Sequence, residues 1–236
     1  GSACRREIME RVIDRMHMQE VTICYGMTET APVSAQSAVT DSIEQRVGTV
    51  GRVHPHLEIK IVDEQGKVVP RGSLGELCVR GYSVMLGYWE DEDKTFDVID
   101  KARWMHTGDI ASMDDEGFIK IKGRIKDVVI RGGENLFPKE IEDFLYTHPA
   151  VMDVQVIGLP DPRYGEELCA CIILHDGETC NEEVIRQYCK ENISHNKVPR
   201  YVRFFREFPM TASGKAQKFK LQELMRQELN LLEDIA

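Results

Sequence analysis

Gly123-Arg-Ile-Lys-Asp127 separates two different patterns in the sequence. Before it, residues from about 47 to 122 form short runs of strand-forming residues divided by turns, which is typical of a compact β-rich subdomain. After it, strand-like and helix-like patterns alternate, which predicts a small α+β domain. We therefore divide the chain into residues 1–123 and 124–236, with a hinge at 124–127.

Apolar periodicity predicts the individual elements on both sides of this boundary. Upstream we expect a helix over 5–18 and a buried strand at 21–24. Downstream we expect strands at 128–130, 151–159, 168–174 and 201–205, and helices beginning near Pro138 and covering 181–191 and 219–232. The combination predicts a fold of the α/β and α+β classes.

The composition indicates a globular protein and excludes one class of partner. The chain is 42% hydrophobic, carries a net charge of -10 and has a pI near 5.3. Nucleic acid is an improbable partner because phosphate neutralisation requires clustered Lys and Arg. No stretch approaches the roughly 18 apolar residues that indicate a transmembrane segment. The sequence does not begin with Met, so we expect an internal start and a missing targeting signal.

The seven cysteines are scattered, and Cys169 and Cys171 form the one close pair. Their spacing puts both thiols on one face of a strand and does not match a zinc site. We expect reduced core cysteines in an intracellular, reducing compartment, either the cytoplasm or the mitochondrial matrix.

Five glycine-containing segments combine turns with side chains suited to nucleotides. They are Tyr25-Gly-Met-Thr-Glu-Thr30, His106-Thr-Gly-Asp109, Gly123-Arg-Ile-Lys-Asp127, Arg131-Gly-Gly-Glu-Asn135 and Pro209-Met-Thr-Ala-Ser-Gly-Lys215. Each alone is weak, but the ordered set is specific. With these segments the chain resembles the family of acyl-CoA synthetases, luciferases and peptide-synthetase adenylation domains, most closely the fatty-acyl-CoA synthetase branch. The resemblance covers nearly the whole chain. It implies the end of a large adenylate-forming, AMP-binding domain followed by a small mobile C-terminal domain.

The first segment is expected to meet the nucleotide and its metal. The ring of Tyr25 can lie against adenine, and Gly26 lets the backbone pass close to a ligand. Thr28 offers a hydroxyl to phosphate, and Glu29 offers a carboxylate to Mg²⁺ bound jointly with phosphates. The alternatives are an ordinary turn at the end of a strand and a Thr-Glu pair that caps a helix.

The second and third segments supply candidates for the ribose and the hinge. Asp109 can accept hydrogen bonds from both ribose hydroxyls, although a turn aspartate often bonds its own backbone. Arg124 is a planar donor suited to ribose oxygen or phosphate, although a lone Gly-Arg is usually a solvated pair. The resemblance assigns Asp109 to the ribose and makes Lys126 the pivot of the small domain.

The last two segments concern the thioester and the adenylation step. Gly132 and Gly133 lack side chains, so a thin substrate arm could pass them, and the resemblance implies that they line the pantetheine tunnel of coenzyme A. A plain turn between strand and helix is the alternative. Lys215 matches the catalytic lysine of the family, whose charge stabilises the transition state at the α-phosphate.

The resemblance implies an ATP-dependent, AMP-forming acyl-CoA ligase. A fatty acid and ATP give an acyl adenylate and diphosphate with Mg²⁺, and the thiol of coenzyme A then displaces AMP. The family's Ser/Thr/Gly-rich phosphate loop is absent from this sequence, as is most of the acyl pocket. We therefore expect this segment to be inactive alone, with exposed apolar surface in its N-terminal part and a tendency to self-associate.

Several alternatives remain open. The enzyme could be an aryl-CoA ligase or an amino-acid adenylation domain, or the chain could be a non-catalytic AMP-binding module. Two further groups are expected to be structural. His106 has no matching acid or nucleophile, so we expect a packed or solvated histidine rather than a catalytic base. Met85, Leu86, Tyr88 and Trp89 form an apolar cluster expected in the core.

Overall fold

The computed structural model describes residues 6–212 and 214–231. The chain divides into two compact units, residues 1–125 and 126–236. Helices and sheets are mixed in both units, so the predicted fold class is confirmed. The division falls inside the predicted hinge segment. No helix in the described part of the chain combines the length and apolarity needed to cross a bilayer.

In its described residues the first unit contains three α-helices and two antiparallel sheets. Its elements are α1 (Arg6–Met16), β1 (Cys24–Tyr25), β2 (Ala35–Gln36), α2 (Ile43–Gly48), β3 (Arg52–Val53), β4 (Leu57–Val62), β5 (Gly75–Gly81), α3 (Glu92–Val98), β6 (Met105–Met113) and β7 (Ile119–Arg124). Strands β1-β2-β3 form a small sheet, and β4-β5-β6-β7 form a four-stranded meander. The predicted strand at 21–24 is wrong in extent, because only Cys24–Tyr25 pairs with β2.

The four-stranded meander carries the main core of the first unit on one of its faces. Alternate residues of β4, β5 and β6, including Ile61, Leu77, Val79, Met105 and Ala111, are buried together there. Burial of such side chains contributes about 25 cal/mol per Å² of apolar surface removed from water. The residues between them point to the opposite face, which becomes important below.

One expectation about this core is wrong. Leu86 is 92% exposed and Trp89 is 89% exposed, so they are not core residues. The segment that carries them leaves β5 at Gly81 and passes into α3, whose amino end is capped by Asp91 through the backbone N–H of Lys94 at 3.0 Å. Both residues therefore lie on an irregular connection rather than on a strand face. Tyr82 and Phe96 are also largely exposed, which leaves this unit with large apolar side chains at its surface.

The second unit is a five-stranded sheet with helices on both faces. Its elements are β8 (Val129–Arg131), β9 (Glu134–Leu136), α4 (Pro138–Leu145), β10 (Val151–Asp161), β11 (Gly165–Leu174), α5 (Glu182–Asn192), β12 (Tyr201–Phe204) and α6 (Lys218–Glu228). The sheet order is β10-β11-β8-β9, with β12 parallel to β11. Of the predicted last helix, residue 232 lies outside the described residues.

Side chains alternate between two cores across the central strands of this sheet. Val154, Val156, Leu168 and Ala170 pack with α4 and α5 on one side. Cys169 and Cys171 pack with Leu221 and Met225 of α6 on the other side. The prediction that both thiols share one buried face is confirmed, and the six cysteines in the described residues are free. The turn before β11 is held by Asp161 Oδ1, which accepts from the backbone N–H groups of Arg163 and Tyr164 at 2.9 Å each.

Candidate active site

Asp109 is the centre of a polar cluster in the first unit. It lies within β6, opposite Arg124 of β7, and its side chain is 12% exposed. Its Oδ2 accepts a hydrogen bond from the hydroxyl of Tyr25 at 2.6 Å, and its Oδ1 lies 3.3 Å from Nε of Arg124. Three residues from three separate motifs are therefore brought together. Each carboxylate oxygen has two lone pairs, so acceptor capacity remains for a ligand.

The protonated hydroxyl of Tyr25 keeps the Asp109 carboxylate in place as an acceptor. The pKa of the Tyr25 hydroxyl is raised well above its ordinary value, first because burial disfavours the phenolate and then because the charge of Asp109 is close. The hydroxyl therefore stays protonated at neutral pH and donates to Asp109. The sequence suggested a role for the ring of Tyr25 but did not reveal this hydrogen bond.

Hydrogen bonds from Thr107 and Gly108 fix the backbone just before Asp109. Thr107 Oγ1 donates to the carbonyl of Leu77 at 2.7 Å and accepts from the backbone N–H of Asp109 at 3.2 Å. The backbone N–H of Gly108 donates to Glu76 Oε1 at 3.0 Å, and Gly108 has φ +70°. The pairing of β5 with β6 is also irregular here. Asp109 is therefore a strand residue positioned by a bulge rather than a turn residue at the edge of a strand.

The segment after Tyr25 has a local reason for its glycine. A Cβ on Gly26 would lie 1.7 Å from the carbonyl oxygen of Pro32, so the backbone contact itself requires glycine. Thr28–Thr30 forms a short 3-10 helix in which Thr30, rather than Thr28, accepts the backbone N–H of Met27 at 3.2 Å. Thr28 is exposed, so its hydroxyl is accessible.

Glu29 has a partner that the sequence did not indicate. Its Oε1 accepts a hydrogen bond from the hydroxyl of Tyr88 at 2.9 Å, and its carbonyl accepts from the backbone N–H of Met85 at 2.9 Å. These contacts orient the carboxylate and leave Oε2 for another ligand. Tyr88 was expected in the core, but its hydroxyl has this polar role.

In the second unit, Gly132 and Gly133 form the two-residue turn between β8 and β9. Arg131 pairs with Glu134 across it, and the two glycines have φ of +60° and +85°. A hairpin of this kind requires positive φ at both central positions, which glycine adopts without steric cost. The alternative of a plain turn between strand and helix is wrong in its second element, because the turn joins two strands. A Cβ on Gly133 would meet nothing within 4 Å, so this side of the turn is open.

Two lysines of the second unit are accessible. Lys126 is exposed in a 3-10 helix over Ile125–Asp127. Lys215 is exposed at the end of a turn closed by Thr211, whose backbone N–H donates to the carbonyl of Lys215 at 2.8 Å. Within the described residues the ammonium group of Lys215 forms no ion pair. Ser213 of the same motif lies outside the described residues.

Two family models match this chain. The model of the AMP-binding enzyme matches residues 1–89, and the model of the AMP-binding enzyme C-terminal domain matches residues 140–215. The medium-chain acyl-CoA ligase ACSF2, mitochondrial, of Rattus norvegicus is 50% identical over 98% of the chain. The chain belongs to the AMP-binding enzyme family. It covers 38% of the length of that relative.

Solved structures agree with this membership of the AMP-binding enzyme family. ATP-bound MatB from Rhodopseudomonas palustris has a TM-score of 0.80 at 34% identity, covering 87% of this chain and 40% of its own. The o-succinylbenzoate CoA synthetase MenE from Bacillus subtilis, in complex with an acyl-adenylate intermediate, has a TM-score of 0.85 at 31% identity. That match covers 94% of this chain and 44% of MenE.

Asp109 and Glu29 of this chain differ in how well they fit a nucleotide and a magnesium ion. Asp109 is a buried acceptor on a rigid strand, which suits a pair of hydroxyls. Glu29 is a single half-buried carboxylate with one oxygen engaged by Tyr88. Mg²⁺ is commonly held by one or two carboxylates together with substrate phosphates, so Glu29 fits a metal that the nucleotide helps to bind.

The prediction that His106 has no matching acid or nucleophile was wrong. His106 does have an acid and a thiol beside it, because its Nδ1 lies 2.7 Å from Glu76 Oε2 and 3.5 Å from Cys78 Sγ. These partners precede it by 30 and 28 residues and reach it only through the pairing of β5 with β6. The alternation of Glu76 and Cys78 in a strand was the one signal available.

Proposed function

We propose that the protein is an ATP-dependent acyl-CoA ligase that converts a fatty acid, ATP and coenzyme A to acyl-CoA, AMP and diphosphate. The observation that carries the proposal is the Tyr25-Asp109-Arg124 cluster in a chain of the AMP-binding enzyme family. The 50% identity to a relative named medium-chain acyl-CoA ligase supports a fatty acid of medium length. The reaction passes through an acyl adenylate, as the acyl-adenylate complex of MenE supports.

The cluster binds the nucleoside. Asp109 accepts hydrogen bonds from the ribose hydroxyls, Tyr25 holds Asp109 and presents its ring to adenine, and Arg124 adds a donor toward ribose or phosphate. Gly26 lets the backbone beside Tyr25 pass close to the carbonyl oxygen of Pro32. Because Asp109 is already oriented by two partners, little side-chain entropy is lost when the ribose binds.

The adenylation step needs positive charge near the α-phosphate. Thr28 offers a hydroxyl to phosphate, and Glu29 would hold Mg²⁺, which would supply neutralisation of the phosphate charge when bound. Lys215 supplies a positioned cation to the carboxylate and α-phosphate oxygens in the transition state. Its exposure and lack of an ion-pair partner within the described residues support this role, since no competing carboxylate must be displaced.

The thioester step uses a second arrangement of the small domain. Rotation about Lys126 removes Lys215 and brings the Gly132-Gly133 turn to the pantetheine arm of coenzyme A. The positive φ of both glycines and the open space beside Gly133 support close approach of a narrow ligand.

The decisive experiment is Lys215→Ala in the full-length enzyme, with Lys190→Ala on the exposed side of α5 as the control. Acyl-AMP formation, measured as diphosphate release, should fall by about 100-fold or more, as for loss of a positioned donor at a developing charge. Thioester formation from preformed acyl-AMP should survive. Equal losses in both half-reactions, or none, would reject the assignment.

Substrate choice separates the fatty-acid proposal from its rivals. Octanoate, benzoate and a mixture of amino acids should be compared in the same assay. Faster turnover of benzoate would make the enzyme an aryl-CoA ligase, and turnover of amino acids would make it an adenylation domain. Failure of every acid in the full-length protein would support a non-catalytic AMP-binding module.

The 236 residues alone should not adenylate. They contain no phosphate loop, so calorimetric titration with ATP and Mg²⁺ should show little heat. The exposed Tyr82, Leu86, Trp89 and Phe96 support self-association of this segment, which sedimentation velocity at two concentrations would detect. The free cysteines support residence in a reducing compartment, the cytoplasm or the mitochondrial matrix.

A further inference from the structure

Glu76, Cys78 and His106 form a mixed cluster on the meander of the first unit. Cys78 lies directly opposite His106 in the pairing of β5 with β6. Since Leu77 and Val79 point into the core, Glu76 and Cys78 point to the opposite face of β5. One donor atom from each of the three side chains lies within 4.8 Å of the other two.

The geometry of the cluster differs from that of a catalytic relay. Glu76 Oε2 and Cys78 Sγ both approach Nδ1 of His106, at 2.7 Å and 3.5 Å. In a nucleophile-base-acid relay, the thiol and the acid contact opposite ring nitrogens. Three ligand atoms of different side chains within 4.8 Å of one another are instead compatible with a shared metal ion.

The sulfur-nitrogen separation matches a small tetrahedral ion, and the oxygen-nitrogen separation would have to lengthen. With zinc-sulfur and zinc-nitrogen bonds of about 2.3 Å and about 2.0–2.1 Å, tetrahedral angles put sulfur and nitrogen about 3.5 Å apart. The Cys78-His106 separation is 3.5 Å. The carboxylate oxygen would have to move away from Nδ1 by about 0.6 Å, because the same geometry requires about 3.3 Å between oxygen and nitrogen.

Two features prepare the site for an ion. Glu76 Oε1 is already held by the backbone N–H of Gly108 at 3.0 Å, an outer contact of the type that orients metal-binding carboxylates. Cys78 is fully buried, whereas the side chains of His106 and Glu76 are 31% and 19% exposed. The cluster is therefore closed to solvent at Cys78 and accessible to solvent at His106 and Glu76.

We propose that Glu76, Cys78 and His106 bind a zinc-class divalent cation through one sulfur, one nitrogen and one oxygen ligand. A thiolate and a carboxylate together carry two negative charges, which balance the ion. The fourth position is open to water or another ligand. Glu76 also holds the bulge before Asp109 through the backbone N–H of Gly108. The ion would therefore brace β6, which carries Asp109.

The test uses the 236-residue chain stripped of metal and titrated with Zn²⁺ alone in competition with a chromogenic chelator. We expect one zinc ion per chain. Loss of an outer partner of a metal ligand typically weakens metal binding by about 10–100-fold. Cys78→Ser and His106→Asn should each weaken zinc binding by more than that. Cys24→Ser, which removes an exposed thiol, and His54→Asn should bind as tightly as the unmodified chain.

Cobalt provides an independent readout of the sulfur ligand. Co²⁺ bound at this site should show a thiolate-to-cobalt charge-transfer band that Cys78→Ser abolishes and Cys24→Ser retains. His106→Asn covers the case in which the buried Cys78→Ser variant fails to fold, as circular dichroism would show. Absence of stoichiometric zinc binding, a band that survives in folded Cys78→Ser, or unchanged affinity in folded His106→Asn would each overturn the proposal.

Discussion

Replacing Tyr25 by Phe tests whether the hydroxyl-carboxylate contact contributes to the stability of the first unit. The change removes one hydrogen bond of 2.6 Å to Asp109 and almost no apolar surface. Hydrogen bonds to charged groups contribute about 1.5–3 kcal/mol. Little of this loss can be recovered by Arg124, because its side chain is 54% exposed and an ion pair of that kind contributes about 0–1 kcal/mol. We expect the free energy of unfolding to fall by about 1.5–3 kcal/mol.

Tryptophan fluorescence during urea unfolding is the appropriate assay. Both tryptophans of the chain, Trp89 and Trp104, belong to the first unit and therefore report its unfolding. Tyr82→Phe is the matched control, since Tyr82 is 76% exposed. The hypothesis is refuted if Tyr25→Phe and Tyr82→Phe have the same midpoint and slope.

The pH dependence gives this prediction a second, signed readout. The folded pKa of Tyr25 is raised, whereas tyrosine in the unfolded chain ionises near pH of about 10. The folded state therefore keeps a proton that the unfolded state loses. The stabilisation is complete below pH of about 10 and declines above it, by up to about 1.4 kcal/mol per pH unit, until the folded pKa is reached. Phenylalanine lacks this proton, so the difference between the two proteins should narrow above pH of about 10.

Three further predictions concern other residues. Under the proposed function, Asp109→Ala in the full-length protein should raise the KM for ATP more than that for the fatty acid, because a ribose contact would act in ground and transition states alike. An unchanged KM for ATP would exclude the ribose role. Lys126→Pro should impair thioester formation more than adenylation, since proline fixes φ, and equal effects in separate half-reaction assays would put the pivot elsewhere. Asp161→Asn should destabilise the chain by about 1–3 kcal/mol at pH 7. Burial opposes ionisation of Asp161, but two backbone N–H groups and Arg200 outweigh it and lower its pKa. Its contribution is therefore complete above the unfolded pKa of about 3.9 and declines as the pH falls toward the lower folded pKa. The difference in urea midpoint should be smaller at about pH 3 than at pH 7, and an equal difference at both would contradict this.

The elements with strong local signals could be predicted from the sequence. The alternation that placed Cys169 and Cys171 on one face needs only the period of a strand, and the predicted helices at 181–191 and near Pro138 correspond to α5 and α4. The capping residue Asn181, whose side chain accepts the backbone N–H of Val184 at 3.0 Å, is a local signal of the same kind.

Features that depend on distant partners were missed or misread. His106 acquired its acid and thiol from a strand about thirty residues earlier, and no pattern around His106 itself shows which strand will pair there. Leu86 and Trp89 were assigned to the core because they are apolar, but hydrophobicity alone does not determine burial on an irregular connection. In the Gly132-Gly133 turn, the composition was informative but the pairing of β8 with β9 was not apparent.

The contact between Tyr25 and Asp109 also bears on how the first unit folds. The two residues are 84 positions apart, so the chain between them must be closed into a loop before the contact can form. Loop closure of that length is entropically costly, and contacts of this kind tend to form after local hairpins such as β4-β5. We therefore expect the contact to be absent from the folding transition state. Its loss would then accelerate unfolding and leave the folding rate nearly unchanged, so that Tyr25 prolongs the lifetime of the folded unit.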